Sequence, residues 1–184
     1  MLNMNHGYVM KSMHVLVAYA TRNGSTAEIA RAIANELTML GLDSTFLSAD
    51  QAGDVSKYDA IILGSAVYVW KWEKSALEFA ENNLAELRHK PVWLFSSGPL
   101  DFSAEKEGIK PVRAVRRISK LIGARGHVTF GGKLPPETKG FLAKQSSRAG
   151  SEGDFRNFDQ IREWASHIGM EIASRHKHET VIAR

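Results

Sequence analysis

Short apolar runs alternate with stretches of helical period along most of this chain. Residues 13–20, 59–64 and 91–96 are apolar with no polar alternation, the pattern of strands buried on both faces. Residues 44–48 and 127–130 read as two shorter strands. Between them the period changes to that of a helix. Ala27, Ile29, Ala30, Ile33, Ala34 and Leu37 define a helix over 25–40 that stops at Gly41, a C-terminal breaker. Ala76, Leu77, Ala80, Leu84 and Leu87 define one over 73–88, and a third spans 109–122 with Pro111 in its first turn. Phe158, Ile161, Trp164, Ala165, Ile168 and Ile172 mark a last helix over 157–175. Residues 49–58 read as a polar connection, and 131–156 as a long loop rich in glycine with Pro135 and Pro136.

Strands alternating with helices imply βαβ units and a parallel sheet covered on both faces. Five strands suit the doubly wound order 2-1-3-4-5, an α/β fold. Its ligand lies beyond the C-terminal strand ends, where the winding reverses between strands 1 and 3. Chemistry is therefore expected in the loops after Ala20, Gly64 and Ser96.

The first of these loops changes character abruptly. After the strand, Thr21, Arg22, Asn23, Gly24, Ser25 and Thr26 are small or polar, and the helical period begins at once. First-turn N–H groups of a helix have no internal partner, and the helix dipole adds positive potential there. Thr21, Ser25 and Thr26 contribute hydroxyls, Asn23 an amide, and Gly24 a tight turn. The segment fits an anion site. It also fits an ordinary turn in which Ser25 or Thr26 caps the helix.

The second loop, Gly64-Ser65-Ala66-Val67-Tyr68-Val69-Trp70-Lys71-Trp72, places aromatics at alternate positions. An extended conformation would put Tyr68, Trp70 and Trp72 on one side, able to stack on a planar ring; packing beneath the next helix is the other use of such residues. Tyr68 and Trp70 are the favoured ring neighbours, while Trp72 also fits the helix entrance. The third loop, Ser96-Ser97-Gly98-Pro99-Leu100-Asp101, reads by itself as a Gly-Pro turn and nothing more; as the third loop at the same sheet edge, its small residues would let backbone approach a ligand.

The order Tyr19-x-Thr21-x-x-Gly24-x-Thr26-x-x-x-Ala30 resembles the FMN-phosphate loop of the flavodoxin family, departing from it at Ala18, in the strand. The resemblance extends over about 13–175. It implies noncovalent FMN, with Thr21, Arg22, Asn23, Gly24, Ser25 and Thr26 at the phosphate. Ser65, Ala66, Val67, Tyr68, Val69 and Trp70 would stand on one side of the flavin ring, and Ser97, Gly98, Pro99 and Asp101 on the other. Gly-Ser-Ala-Val-Tyr after strand 3, Phe-Ser-Ser-Gly-Pro after strand 4 and the long loop are similar to the branch of menaquinone-dependent protoporphyrinogen oxidases. That branch implies a flavin oxidoreductase passing electrons from an organic substrate, such as a porphyrinogen of heme biosynthesis, to a quinone. The alternative is a small electron carrier that meets redox partner proteins and has no substrate of its own. No residue stands out as an acid–base catalyst.

Composition narrows the picture. The 184 residues suit one domain; 43% are hydrophobic and 24% charged, and there is no cysteine, so thiol catalysis, thiolate metal sites and disulfides are excluded. The formal net charge is +4, whereas carrier flavodoxins are typically acidic; this favours the enzyme. Arg113, Arg116, Arg117 and Lys120 lie on one predicted helix, and Lys133, Lys139, Lys144, Arg148 and Arg156 stud the long loop. They read as a solvated basic face or as a peripheral contact with anionic lipid or a carboxylate-bearing substrate. No recognition motif for nucleic acid accompanies them.

Phe130-Gly131-Gly132-Lys133 is not a P-loop: His127 stands at the required glycine and Leu134 at the hydroxyl position. Thr21 and Gly64 replace the acids that a phospho-acceptor domain needs. His176 and His178 lack a carboxylate cluster to complete a metal site. Residues 1–12 show no signal-peptide pattern and are expected to form a flexible leader, with Met10 or Met13 an equally good start; 176–184 read as a polar tail. No apolar stretch approaches the about 18 residues of a bilayer span, so a cytoplasmic location is expected.

Overall fold

A computed structural model of the chain describes residues 13–98, 109–133 and 153–182, with side chains described up to 175. Its elements are β1 (His14–Ala20), α1 (Ser25–Met39), β2 (Asp43–Ser48), β3 (Ala60–Tyr68), β4 (Lys71–Trp72), α2 (Lys74–Asn82), α3 (Leu84–Leu87), β5 (Val92–Ser97), α4 (Arg113–Ile122), β6 (Gly126–Phe130) and α5 (Phe158–Ile182). The sheet runs β2-β1-β3-β5-β6, all pairs parallel. This is the expected doubly wound order; β4, antiparallel to β3, adds a sixth strand.

Side chains alternate across the strands and build two cores. On one face Leu16, Ala18, Ile61, Leu63 and Leu94 pack with Ala76, Phe79, Val115 and Ile118 of α2 and α4. On the other, Val15, Val17, Ile62, Phe95 and Phe130 meet Ile29, Ile33, Leu37, Ile161 and Ile168 of α1 and α5. With both faces covered, the central strands carry no polar alternation. The Phe95 ring needs Gly64, because a Cβ there would lie 1.9 Å from its Cζ.

α1 ends as its sequence predicts. Gly41 has φ 82°, its N–H donates to the Thr38 carbonyl at 3.0 Å, and the Leu42 N–H donates to the Leu37 carbonyl at 3.1 Å, a Schellman closure. Elsewhere boundaries shift. The helix expected over 73–88 breaks at Asn83, whose side-chain amide donates to the Phe79 carbonyl at 3.0 Å and so competes with the helix ladder. α4 begins at Arg113, and Pro111 precedes it rather than lying in its first turn. Val112, with φ −60° and ψ 157°, is its extended N-cap. α5 continues to Ile182, past the end of its apolar stripe, since no glycine or proline interrupts 170–182.

The long stretch after β6 is drawn together at its base. Lys133 and Asp154 form an antiparallel bridge, and the Phe155 N–H donates to the Gly132 carbonyl at 2.9 Å. Gly131 permits this approach, since a Cβ there would sit 1.8 Å from the Phe155 carbonyl oxygen. Lys139, Lys144 and Arg148, like residues 1–12, lie outside the described residues.

Candidate functional site

The register brings the three loops to one edge. Ala20 pairs with Ser65, Ser65 with Ser96, Ala66 with Ser97, and Ser97 with Phe130. The ends of β1, β5 and β6 are thus level, and β3 runs on past them to Tyr68, beside the turn after β1.

In the first turn, the N-cap of α1 is Gly24, in the left-handed region at φ 84°, with no side-chain cap. Its N–H donates to Thr21 Oγ1 at 3.0 Å, so Thr21 shapes the turn. Neither Ser25 nor Thr26 acts as the N-cap. Thr26 is fully buried, and its Oγ1 has no hydrogen-bond partner among the described residues. An unpaired buried hydroxyl is costly. The one other such atom among the described residues is the Tyr58 hydroxyl, beside His14 at the opposite end of β1. The orphaned hydroxyl of Thr26, the left-handed glycine and the uncapped first turn of α1 fit a phosphate bound at this end.

Arg22 leans away from the first turn. Its guanidinium lies 4.1 Å from the centroid of the Tyr68 ring, and its Nε lies 3.3 Å from Glu73 Oε1. It therefore ties the first turn to the second loop. Asn23 is exposed.

The second loop is a hairpin rather than an extended strip. β3 runs on to Tyr68, Val69 and Trp70 turn with φ 48° and 62°, and Val67 and Tyr68 pair back with Trp72 and Lys71. Two positive φ values in succession match a tight hairpin turn, and a β-branched residue there is strained. Tyr68 is 49% exposed, Val69 70% and Trp70 85%, so both expected ring neighbours are exposed, with Arg22 lying over one face of the Tyr68 ring. Trp72 is buried instead, and its Nε1 donates to Ser96 Oγ at 2.8 Å. Ser65 is also buried. Its hydroxyl accepts the Glu73 N–H at 2.9 Å, serving the start of α2. Ala66 and Val67 are half-buried.

In the third loop, Ser97 is buried and the Gly98 N–H donates to the Phe130 carbonyl at 3.1 Å. A Cβ on Gly98 would meet Val67 Cβ at 3.0 Å, so the second and third loops are in contact. Pro99 and Asp101 lie outside the described residues.

Two features escaped the sequence. Ser96 Oγ lies 2.8 Å from His127 Nε2, and burial pushes the His127 pKa down to about 4. Neutral His127 accepts from Ser96, which accepts from Trp72; the hairpin is thereby fastened to β5 and β6. The second is Arg156. Its side chain is 2% exposed. Nε and Nη2 grip the Asp154 carboxylate at 2.8 and 2.6 Å, Nη1 reaches Glu28 Oε2 at 2.8 Å, and the Ser25 carbonyl lies 3.4 Å away. The hydrogen bond from Arg156 chiefly holds the Asp154 carboxyl below the usual carboxylate range. Lys133 also pairs with Asp154, at 3.7 Å. Two of the expected surface cations are therefore in ion pairs at the base of the long loop. No local signal marks these contacts, which span up to 131 residues.

A family profile described as a flavodoxin domain matches residues 16–148, well over half of the chain. The chain belongs to the flavodoxin family. Its cofactor is FMN, and its chemistry is redox chemistry. Among curated proteins it is similar to the quinone-dependent protoporphyrinogen IX dehydrogenase of Escherichia coli K12, at 26% identity over 86 residues, 46% of this chain and 48% of that protein. The chain spans about half the length of the curated relatives it matches. Among solved structures, a flavodoxin from the domain Archaea aligns with a TM-score of 0.58 and 17% identity over 90% of this chain and 100% of that one. The rubredoxin:oxygen oxidoreductase of Desulfovibrio gigas aligns with a TM-score of 0.61 and 14% identity over 90% of this chain and 37% of that one. These two share the fold.

Among the described residues there is no cluster of acids and histidines able to hold a metal, and no helix is long and apolar enough to cross a membrane. A separate open cleft of about 580 Å³, lined in part by Asp50, Asp54, Glu78 and Glu86, shares no residue with the three loops. Its acidic lining is unsuited to a phosphate.

Proposed function

We propose that this flavodoxin is an enzyme, an FMN-dependent oxidoreductase that passes electrons from an organic donor, a porphyrinogen being the first candidate, to a quinone-type acceptor. The flavin supplies the reversible electron chemistry; the chain supplies binding, orientation and tuning. The observation that carries the site is the buried, unpartnered Thr26 hydroxyl in the first turn of α1. The free N–H groups of that turn, with Gly24, Ser25 and Thr26, would hold the phosphate, and Thr21 would keep the turn in shape. Tyr68 and Trp70 would flank the ring on one side. The main chain of Ser97 and Gly98, with Pro99 and Asp101 beyond, would meet it on the other. Arg22, between Glu73 and Tyr68, would hold the two ends of the site in register.

The substrate class rests on the partial match to the Escherichia coli dehydrogenase, supported by the basic net charge of +4. Arg113 and Arg116, exposed on α4, would attract a carboxylate-bearing substrate or an anionic lipid surface in which quinone dissolves. A cytoplasmic location with peripheral membrane contact goes with this reading. A second reading, a carrier that serves redox partner proteins, is favoured by the alignment over the whole of an archaeal flavodoxin. Turnover separates them. The enzyme reduces a menaquinone analogue at the expense of a porphyrinogen. Absence of turnover with any porphyrinogen or quinone, together with fast electron exchange with a ferredoxin-type reductase, would leave the carrier.

A further inference from the structure

Arg156 holds a place that the FMN site alone does not explain. Glu28 sits in the first turn of α1, the turn whose N–H groups would face the phosphate of FMN in the proposed site. A carboxylate there is favourable to the helix dipole. It opposes a phosphate, because two negative charges would share one helix end. The Arg156 guanidinium lies against this carboxylate at 2.8 Å, and it comes from the far end of the sequence. It is aimed from two sides: Asp154 grips it in a two-bonded fork, and the Phe158 ring lies 5.0 Å beneath it. Asp154 is placed in turn by its bridge to Lys133. The Arg156 side chain is 2% exposed and Glu28 55%, so the guanidinium is held in place from within while the carboxylate it meets stays at the surface.

We propose that Arg156 is a positioning residue for the phosphate end of the FMN site. It neutralises Glu28 and fixes the first turn of α1, and through Asp154 it makes this state depend on the closed base of the long excursion between Lys133 and Asp154. The proposal rests on the FMN reading and deepens it. It states that phosphate affinity is set in part by a side chain about 130 residues from the phosphate turn, on a segment that follows the last strand.

The test compares FMN with riboflavin, which lacks the phosphate, by flavin-fluorescence titration of the full chain. Wild type should bind FMN much more tightly than riboflavin. Arg156→Gln should weaken FMN about tenfold or more and change riboflavin less than about twofold. Arg156→Gln combined with Glu28→Gln should recover most of the loss, because the opposing charge is gone. Glu28→Gln alone, at a largely exposed position, should bind FMN as tightly as wild type or more tightly. Equal weakening of both flavins by Arg156→Gln would reduce Arg156 to a merely structural part and overturn the proposal. So would failure of the double variant to recover, or weaker FMN binding by Glu28→Gln. Wild type that binds FMN no better than riboflavin would overturn the phosphate reading itself, and this proposal with it. Wild type that prefers FMN, with Arg156→Gln keeping the same preference, overturns this proposal alone.

Discussion

Thr26 concentrates the argument at the scale of a residue. Folding buries its hydroxyl without a partner, a cost of about 1–3 kcal/mol, and such a cost is intelligible where a ligand will supply the missing bond. Thr26→Val keeps the shape and removes the hydroxyl. The expected outcome is an apoprotein at least as stable as wild type, by urea unfolding, together with FMN binding weakened about tenfold, or about 1.4 kcal/mol. A variant less stable by more than about 1 kcal/mol with unchanged FMN affinity would show that the hydroxyl is a structural group. The turn proposed for the phosphate stands out in the sequence because its parts are neighbours: glycine, hydroxyls and the onset of helical period fall within six residues. Arg156 does not, because its partners Ser25 and Glu28 are distant in the chain and its own neighbourhood reads as one more basic residue of a loop.

At the scale of elements, the hairpin carrying Tyr68 and Trp70 was the least legible part. Val69 and Trp70 take left-handed backbone angles without the Asn-Gly or Asp-Gly signature that marks such turns, so the sequence offers an extended strip where the chain folds back. What holds the hairpin is the buried line from Trp72 through Ser96 to His127. That line works with a neutral imidazole. Burial disfavours the imidazolium, and a protonated His127 Nε2 would no longer accept from the Ser96 hydroxyl. The sign of the pH dependence follows. His127 titrates at about 4 in the folded chain and at about 6.5 when unfolded, so between these values the unfolded state binds more protons. The contribution is complete above about pH 6.5 and is lost as pH falls towards 4. His127→Asn should therefore lose less stability than wild type between pH 7 and pH 5, compared by urea unfolding. Equal losses would contradict the buried neutral imidazole. The split of the 73–88 helix at Asn83 escaped for a related reason: the apolar period continues through the break, and one side-chain amide decides it.

For the whole molecule, the doubly wound sheet was readable because apolar strands buried on both faces alternate with amphipathic helices, and that pattern admits few topologies. Its consequence is that loops from β1, β3 and β5, separated by up to about 80 residues of sequence, arrive at one edge with Ala20, Ser65 and Ser96 in adjacent register. The family match gives FMN as the cofactor, and we propose that it binds at this edge with its phosphate at the turn after β1. The most direct measurement mixes the purified chain with FMN, removes free flavin on a desalting column, and records absorption and fluorescence of the protein fraction. The account predicts flavin bands that travel with the protein, shifted from those of free FMN, with fluorescence quenched by the aromatic faces of Tyr68 and Trp70. Flavin that elutes free, with no absorption left on the protein, would contradict it and reduce the turn after β1 to the start of a helix.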